Sequence, residues 1–147
     1  MPSATIRVRV PFVDVDSSMR IHFTAMFRYM ELAEHELMRS LGVPYTSASL
    51  YEELAMPRVH LSCDFTGAVS FDDQLAVEAR VEKVGTSSWT VGFAARKVAG
   101  PNNAPLDAEE EVAHGRMVIV AMDPTTQKAT PLPEADPAPE EADTSFL

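Results

Sequence analysis

Two carboxylates stand two residues apart in "VDVDSS", Asp14 and Asp16, shortly before a segment rich in Phe, Met and Tyr that begins at Phe23. A carboxylate can serve as nucleophile or general base, and the start of a helix presents unsatisfied N–H groups carrying about half a unit of positive charge. Together they suit one electrophile: an ester or thioester whose carbonyl oxygen meets the N–H groups around Ile21 to Thr24 while Asp16 attacks the carbon or activates water. One such donor is worth about 3 kcal/mol, and a positioned general base about 10²–10⁴-fold in rate. The plainer alternative is structural, because Asp is a preferred N-cap and turn residue. Asp14 is read that way, as a solvated turn residue.

The neighbouring elements must position Asp16. In "TIRVRVPFV", Ile6, Val8, Val10 and Phe12 alternate with Arg7 and Arg9, the period of a strand with one buried face. From Phe23 the steps become three and four, through Met26, Phe27, Met30, Ala33, Leu37 and Leu41, which predicts a helix of nearly 20 residues stopped by Gly42 and Pro44. Residues 43–56 read as a loop with a short helical stretch from Leu50 to Leu54. Strands are expected over 58–69, 74–84, 88–98 and 110–122, separated by turn sequences and able to meander antiparallel. Segregated elements of this kind predict an α+β domain over 1–133, with one long helix on a five-stranded antiparallel sheet. The Pro/Ala/Glu-rich segment 134–147 has no periodicity and is expected to be a disordered tail.

A chain of 147 residues suffices for one domain with a real core. Its formal charge of −10 speaks against nucleic-acid binding, and no apolar run is long enough to span a bilayer or to act as a leader. A cytoplasmic protein is expected. Cys63, the single cysteine, cannot form an internal disulfide and reads as a buried strand residue.

The run "VRVPFVDVDSSMRIHFTAMFRYMELAEHELMRSLG" resembles the opening of the 4-hydroxybenzoyl-CoA thioesterase-like acyl-CoA thioesterases of the hotdog-fold superfamily, with Asp-x-Asp at a strand end before a long aromatic-rich helix. "CDFTGAVSFDDQLAVEARVEKVGTSSWTVGFAARK" looks like that family's next strands, and "AMDPTTQKATPLP" like its closing strand. The resemblance implies a hotdog fold, a sheet wrapped around one central helix. It implies hydrolysis of an acyl-CoA or acyl-carrier thioester without metal or cofactor. Asp16 would be nucleophile or general base, and a backbone N–H near His22 and Phe23 would polarise the carbonyl. It further implies a homodimer or homotetramer with sites at the subunit interface. The chain departs from the family in lacking the glycine-containing turn after the second Asp: Ser17, Ser18, Met19 and Arg20 stand there instead.

Other residues compete for parts of the chemistry. Glu34 falls inside the apolar stripe and could be a desolvated base or merely pair with a cation, while Glu31 and His35 have the spacing of a surface pair. Arg58, Lys83, Arg96 and Lys97 are candidates for the phosphates of CoA, with Arg96 and Lys97 on opposite faces of a regular strand. Ser87 and Ser88 are candidates for substrate contact. Two rival functions remain, dehydration or hydration of a 3-hydroxyacyl or enoyl thioester, and non-catalytic acyl-thioester binding.

Overall fold

The computed structural model of the chain describes residues 1–46 and 53–132. Its elements run β1 (Ser3–Arg9), α1 (Phe23–Ser40), β2 (Arg58–Phe65), β3 (Gln74–Val84), β4 (Ser88–Ala99) and β5 (Glu110–Val120), with short 3-10 turns at Phe12–Asp14 and Pro101–Asn103. One helix packs on a five-stranded antiparallel sheet of order β1-β3-β4-β5-β2, the α+β hotdog arrangement.

The expected meander is only partly realised. β3, β4 and β5 follow one another through short connections, but β2 lies on the far edge beside β5 and does not touch β3. Segment 66–73 therefore carries the chain back across the sheet, and it passes the start of α1. The expected closing strand beyond β5 is reduced to single bridges, Ala55 to Met122 and Met122 to Ala129. Phe12, expected on the inner face of β1, sits in the 3-10 turn after the strand has ended and is 67% exposed. The helical stretch expected at Leu50–Leu54 falls largely outside the described residues, as does the tail 134–147.

The two periodicities meet in the core. Met26, Met30, Ala33 and Leu37 repeat at helical spacing and are fully buried. On β4, Trp89, Val91, Phe93 and Ala95 alternate inward beneath them, and Thr90 and Ala94 face out. Burying each such side chain contributes about 1.5–3 kcal/mol. Gly42 adopts the left-handed conformation (φ 78°) after α1, where its N–H meets the Arg39 carbonyl at 3.0 Å and the Val43 N–H that of Met38 at 3.0 Å. This closes the helix as the Gly-Val-Pro sequence predicts. Gly115 on β5 faces Cys63 of β2, and a Cβ there would run into the Ser62 carbonyl and crowd the Met30 side chain at 3.2 Å.

Candidate active site

Between β1 and α1 the backbone folds into a small hairpin. His22 N–H reaches the Asp14 carbonyl at 2.8 Å and Asp16 N–H the Arg20 carbonyl at 2.9 Å, on either side of the Val15–Ile21 bridge. Val15 and Ile21 pack against the core, so Asp16, Arg20 and His22 are turned to the outer side, where all three are exposed. The turn is closed by Met19 at φ 66°, a left-handed conformation that glycine adopts without strain and methionine does not. Ile21 N–H to Val69 O (2.9 Å) and Phe71 N–H to Met19 O (3.0 Å) fasten the hairpin to segment 66–73.

Asp16 Oδ1 accepts the Ser18 hydroxyl at 2.5 Å and the Ser18 N–H at 2.8 Å. These bonds hold its carboxyl below the usual aspartate value of 3.8, the hydroxyl contributing most, so it is an anion at neutral pH. Seven residues on, at Phe23, α1 begins. His22 is its N-cap: the imidazole Nδ1 accepts the Thr24 N–H at 3.3 Å and meets the Thr24 hydroxyl at 2.8 Å, and the ring stacks on Phe23 with centroids 4.7 Å apart. Of the two amides singled out in the sequence, that of His22 is engaged with Asp14, whereas the Phe23 N–H has no acceptor among the described residues. An anionic carboxylate and one uncommitted N–H at a helix start thus share the outer surface, flanked by exposed Phe12, Val13, Met19, Phe23 and Phe71.

Asp14 is not the solvated turn residue expected of it. It is 3% exposed, accepts the Tyr29 hydroxyl at 2.5 Å and is paired with Arg28. The Tyr29 hydroxyl is raised well above the ordinary tyrosine range, first by the burial of Tyr29 itself and second by its bond to the Asp14 carboxylate. Asp14 therefore anchors the hairpin to the first turns of α1 and fixes where Asp16 stands.

The remaining candidates are dispersed. Glu34 is fully buried and accepts Arg58 Nη2 at 2.6 Å and the Tyr45 hydroxyl, so Arg58 serves an internal ion pair. Its other oxygen has no partner among the described residues, and burial pushes its carboxyl above 4.5 despite the cation. Lys97 reaches buried Asp73 at 3.3 Å, and Arg96 lies 3.5 Å from Glu109, on opposite faces as the strand period requires. Lys83 and Ser88 stand at the end of the sheet away from Asp16, where the Ser87 carbonyl accepts the Ala121 N–H at 2.8 Å and the Ser88 carbonyl accepts the Gly85 N–H at 2.7 Å. Glu31 and His35 form the expected surface pair at 4.0 Å. Burial pushes the Cys63 thiol up to about 11, which leaves it unreactive. An apolar cavity of about 120 Å³ lined by Met38, Leu41, Val81 and Trp89 lies at the far end of α1, a helix length of about 27 Å from Phe23.

Comparison with known proteins agrees with this architecture. The sequence profile of the Thioesterase superfamily matches residues 20–101, beginning just after the Asp16 turn. A 1,4-dihydroxy-2-naphthoyl-CoA hydrolase of Prochlorococcus marinus (strain MIT 9303) is 28% identical over 139 residues, covering 88% of this chain and 83% of the relative. The crystal structure of a 1,4-dihydroxy-2-naphthoyl-CoA thioesterase from Synechocystis superposes with a TM-score of 0.77 at 18% identity, over 89% of this chain and 90% of that one. That of 4-hydroxybenzoyl CoA thioesterase from Pseudomonas sp. strain CBS-3 gives 0.76 at 18% identity, over 90% and 95%. The matched profile spans more than half of the sequence and the fold agrees with it throughout, so the chain belongs to the Thioesterase superfamily, the thioester hydrolases of the hotdog fold.

Proposed function

We propose that this chain hydrolyses an acyl-CoA thioester to the free acid and CoA with Asp16 as the reacting carboxylate. The carbonyl oxygen accepts the Phe23 N–H at the positive end of α1, which makes the carbon electrophilic. Asp16 acts on that carbon in one of two ways. As nucleophile it forms a mixed anhydride, CoA thiolate leaves, and water cleaves the anhydride; as general base it takes a proton from the water that attacks directly. Either route consumes one water and needs no redox partner. His22 has only Nε2 free for proton traffic, since Nδ1 caps the helix. The printed names of the relatives support a CoA thioester as the substrate.

The observation that carries this reading is the pairing of an exposed aspartate, held ionised by Ser18, with an uncommitted amide at the start of the one long helix. In a single chain this surface is open to water. A second chain covering Phe12, Val13 and Phe71 completes the site, and the exposed inner-face residues Leu61 and Phe65 of edge strand β2 offer the matching contact. The test is release of CoA thiol from a panel of acyl- and aroyl-CoA esters. We expect turnover of at least one, a fall of at least about 10²-fold in kcat for Asp16→Asn, and no acidic limb from this group between about pH 5 and 8. Turnover unaffected by Asp16→Asn would remove Asp16 from the mechanism.

A further inference from the structure

The hairpin that presents Asp16 also presents a cation, Arg20, whose guanidinium has no carboxylate partner among the described residues. Asp16 and Arg20 lie opposite each other in the pairing around the Val15–Ile21 bridge, which sends both side chains to the same outer face. They do not pair with one another: Asp16 is turned back onto Ser18, and no carboxylate among the described residues lies within ion-pair distance of Arg20. Of the 12 Lys and Arg, eight are in ion pairs with carboxylates among the described residues. Of the four left over, Arg7 sits on β1, while Lys83 and Lys128 lie towards the opposite end of the sheet, about 30 Å away along β3. Arg20 alone belongs to the turn that carries Asp16.

We propose that Arg20 is a specificity-determining residue of the thioesterase site and selects acyl groups that carry a carboxylate. This rests on Asp16 marking the reaction centre. The guanidinium fork takes a carboxylate bidentately, and a second chain closing over the hairpin strengthens that contact by excluding water. The acyl side of the substrate is favoured over CoA for a geometric reason. Arg20 stands across from Asp16, so it reaches only groups near the thioester carbon, whereas the pantetheine arm holds the CoA phosphates many bonds away.

The test compares kcat/KM for 3-carboxybenzoyl-CoA against 3-methylbenzoyl-CoA and glutaryl-CoA against pentanoyl-CoA, each also as the N-acetylcysteamine thioester, which has no phosphate. The wild-type enzyme should prefer the carboxylate member by about 10- to 100-fold on both carriers, the range of a charge-assisted hydrogen bond. Arg20→Met should abolish that preference through KM while changing the uncharged substrates less than about threefold, and Arg20→Lys should restore part of it. No preference in the wild type, or an Arg20→Met loss confined to CoA thioesters, overturns the proposal, the latter by assigning Arg20 to CoA phosphate. If the wild type hydrolyses neither these substrates nor any ester of the broader acyl- and aroyl-CoA panel, the thioesterase reading of Asp16 has failed. Titration of 3-carboxybenzoate against wild type and Arg20→Met, followed by calorimetry, then decides Arg20 alone: equal binding removes it, and tighter binding by the wild type retains it.

Discussion

Asp14 and Asp16 have the same side chain and opposite surroundings, so they should answer mutation in opposite ways. Asp14→Ala leaves the Tyr29 hydroxyl buried without its acceptor and frees Arg28; we expect a loss of about 2–3 kcal/mol in urea unfolding. Asp16→Asn touches only exposed bonds to Ser18 and should leave the urea midpoint at its wild-type value, with its effect confined to turnover. Glu34 makes a third case, through pH. Burial raises its native carboxyl above the ordinary 4.5, so between 4.5 and that raised value the folded chain binds more proton than the unfolded chain. The associated stability is fully present below 4.5 and is lost as pH rises through the raised native value. The urea midpoint of wild type minus that of Glu34→Gln should therefore fall as pH rises from about 4 to 8; a flat or rising difference would show that Arg58 and Tyr45 outweigh burial. The sequence held an ion pair of Glu34 as one of two readings, which the Arg58 contact selects, and it foresaw that Glu31 faces His35. It did not foresee Asp14, because its partners Arg28 and Tyr29 are 14 and 15 residues away and no local spacing marks them.

At the scale of elements, α1 and the four later strands were legible because each repeats on its own period and is bounded by turn residues. What was not legible is where they end and what lies beside them. β1 stops at Arg9 and a 3-10 turn begins at Phe12, since Val10 pairs by its N–H with the Asp73 carbonyl at 2.9 Å and the chain turns there towards the hairpin. β2 leaves the meander for the far edge, next to β5, where its register brings Cys63 opposite Gly115. That contact is a prediction site. Gly115→Ala places a methyl against the Ser62 backbone, which cannot swing aside as a side chain would. We expect about 1–3 kcal/mol of destabilisation by thermal or urea unfolding, with hydrogen-exchange protection lost first in β2.

At the scale of the whole molecule, no strand among the described residues pairs with the outer edge of β2, and Val59, Leu61 and Phe65 are exposed, together with the apolar rim around Asp16. Exposed apolar strands at a sheet edge are ordinarily covered, and a second copy of the chain is the partner the fold suggests. Light scattering on the purified protein should give about twice the chain mass of 16.1 kDa or a higher even multiple. Leu61→Lys should shift it to a single chain and lower Asp16-dependent turnover with it. A wild-type mass of one chain at micromolar concentration would contradict the shared site.

Periodicity and punctuation are properties of neighbouring residues, so the sequence alone determined that one strand, one long helix and then four strands would follow one another; the expected strand end at Asp14 and Asp16 is instead a 3-10 turn and a hairpin after β1 has stopped at Arg9. It also named Asp16, His22 and Phe23 as candidates, but an extended stretch of that length could hold its ends over about 20 Å apart, and the Val15–Ile21 bridge is what folds it back. Burial and strand order depend on contacts between distant residues, which local pattern does not encode. Only the tertiary structure decided that Asp14 is inside and Asp16 outside, that Arg58 and Lys97 neutralise buried carboxylates, and that Arg20 is the cation left beside the proposed reaction centre.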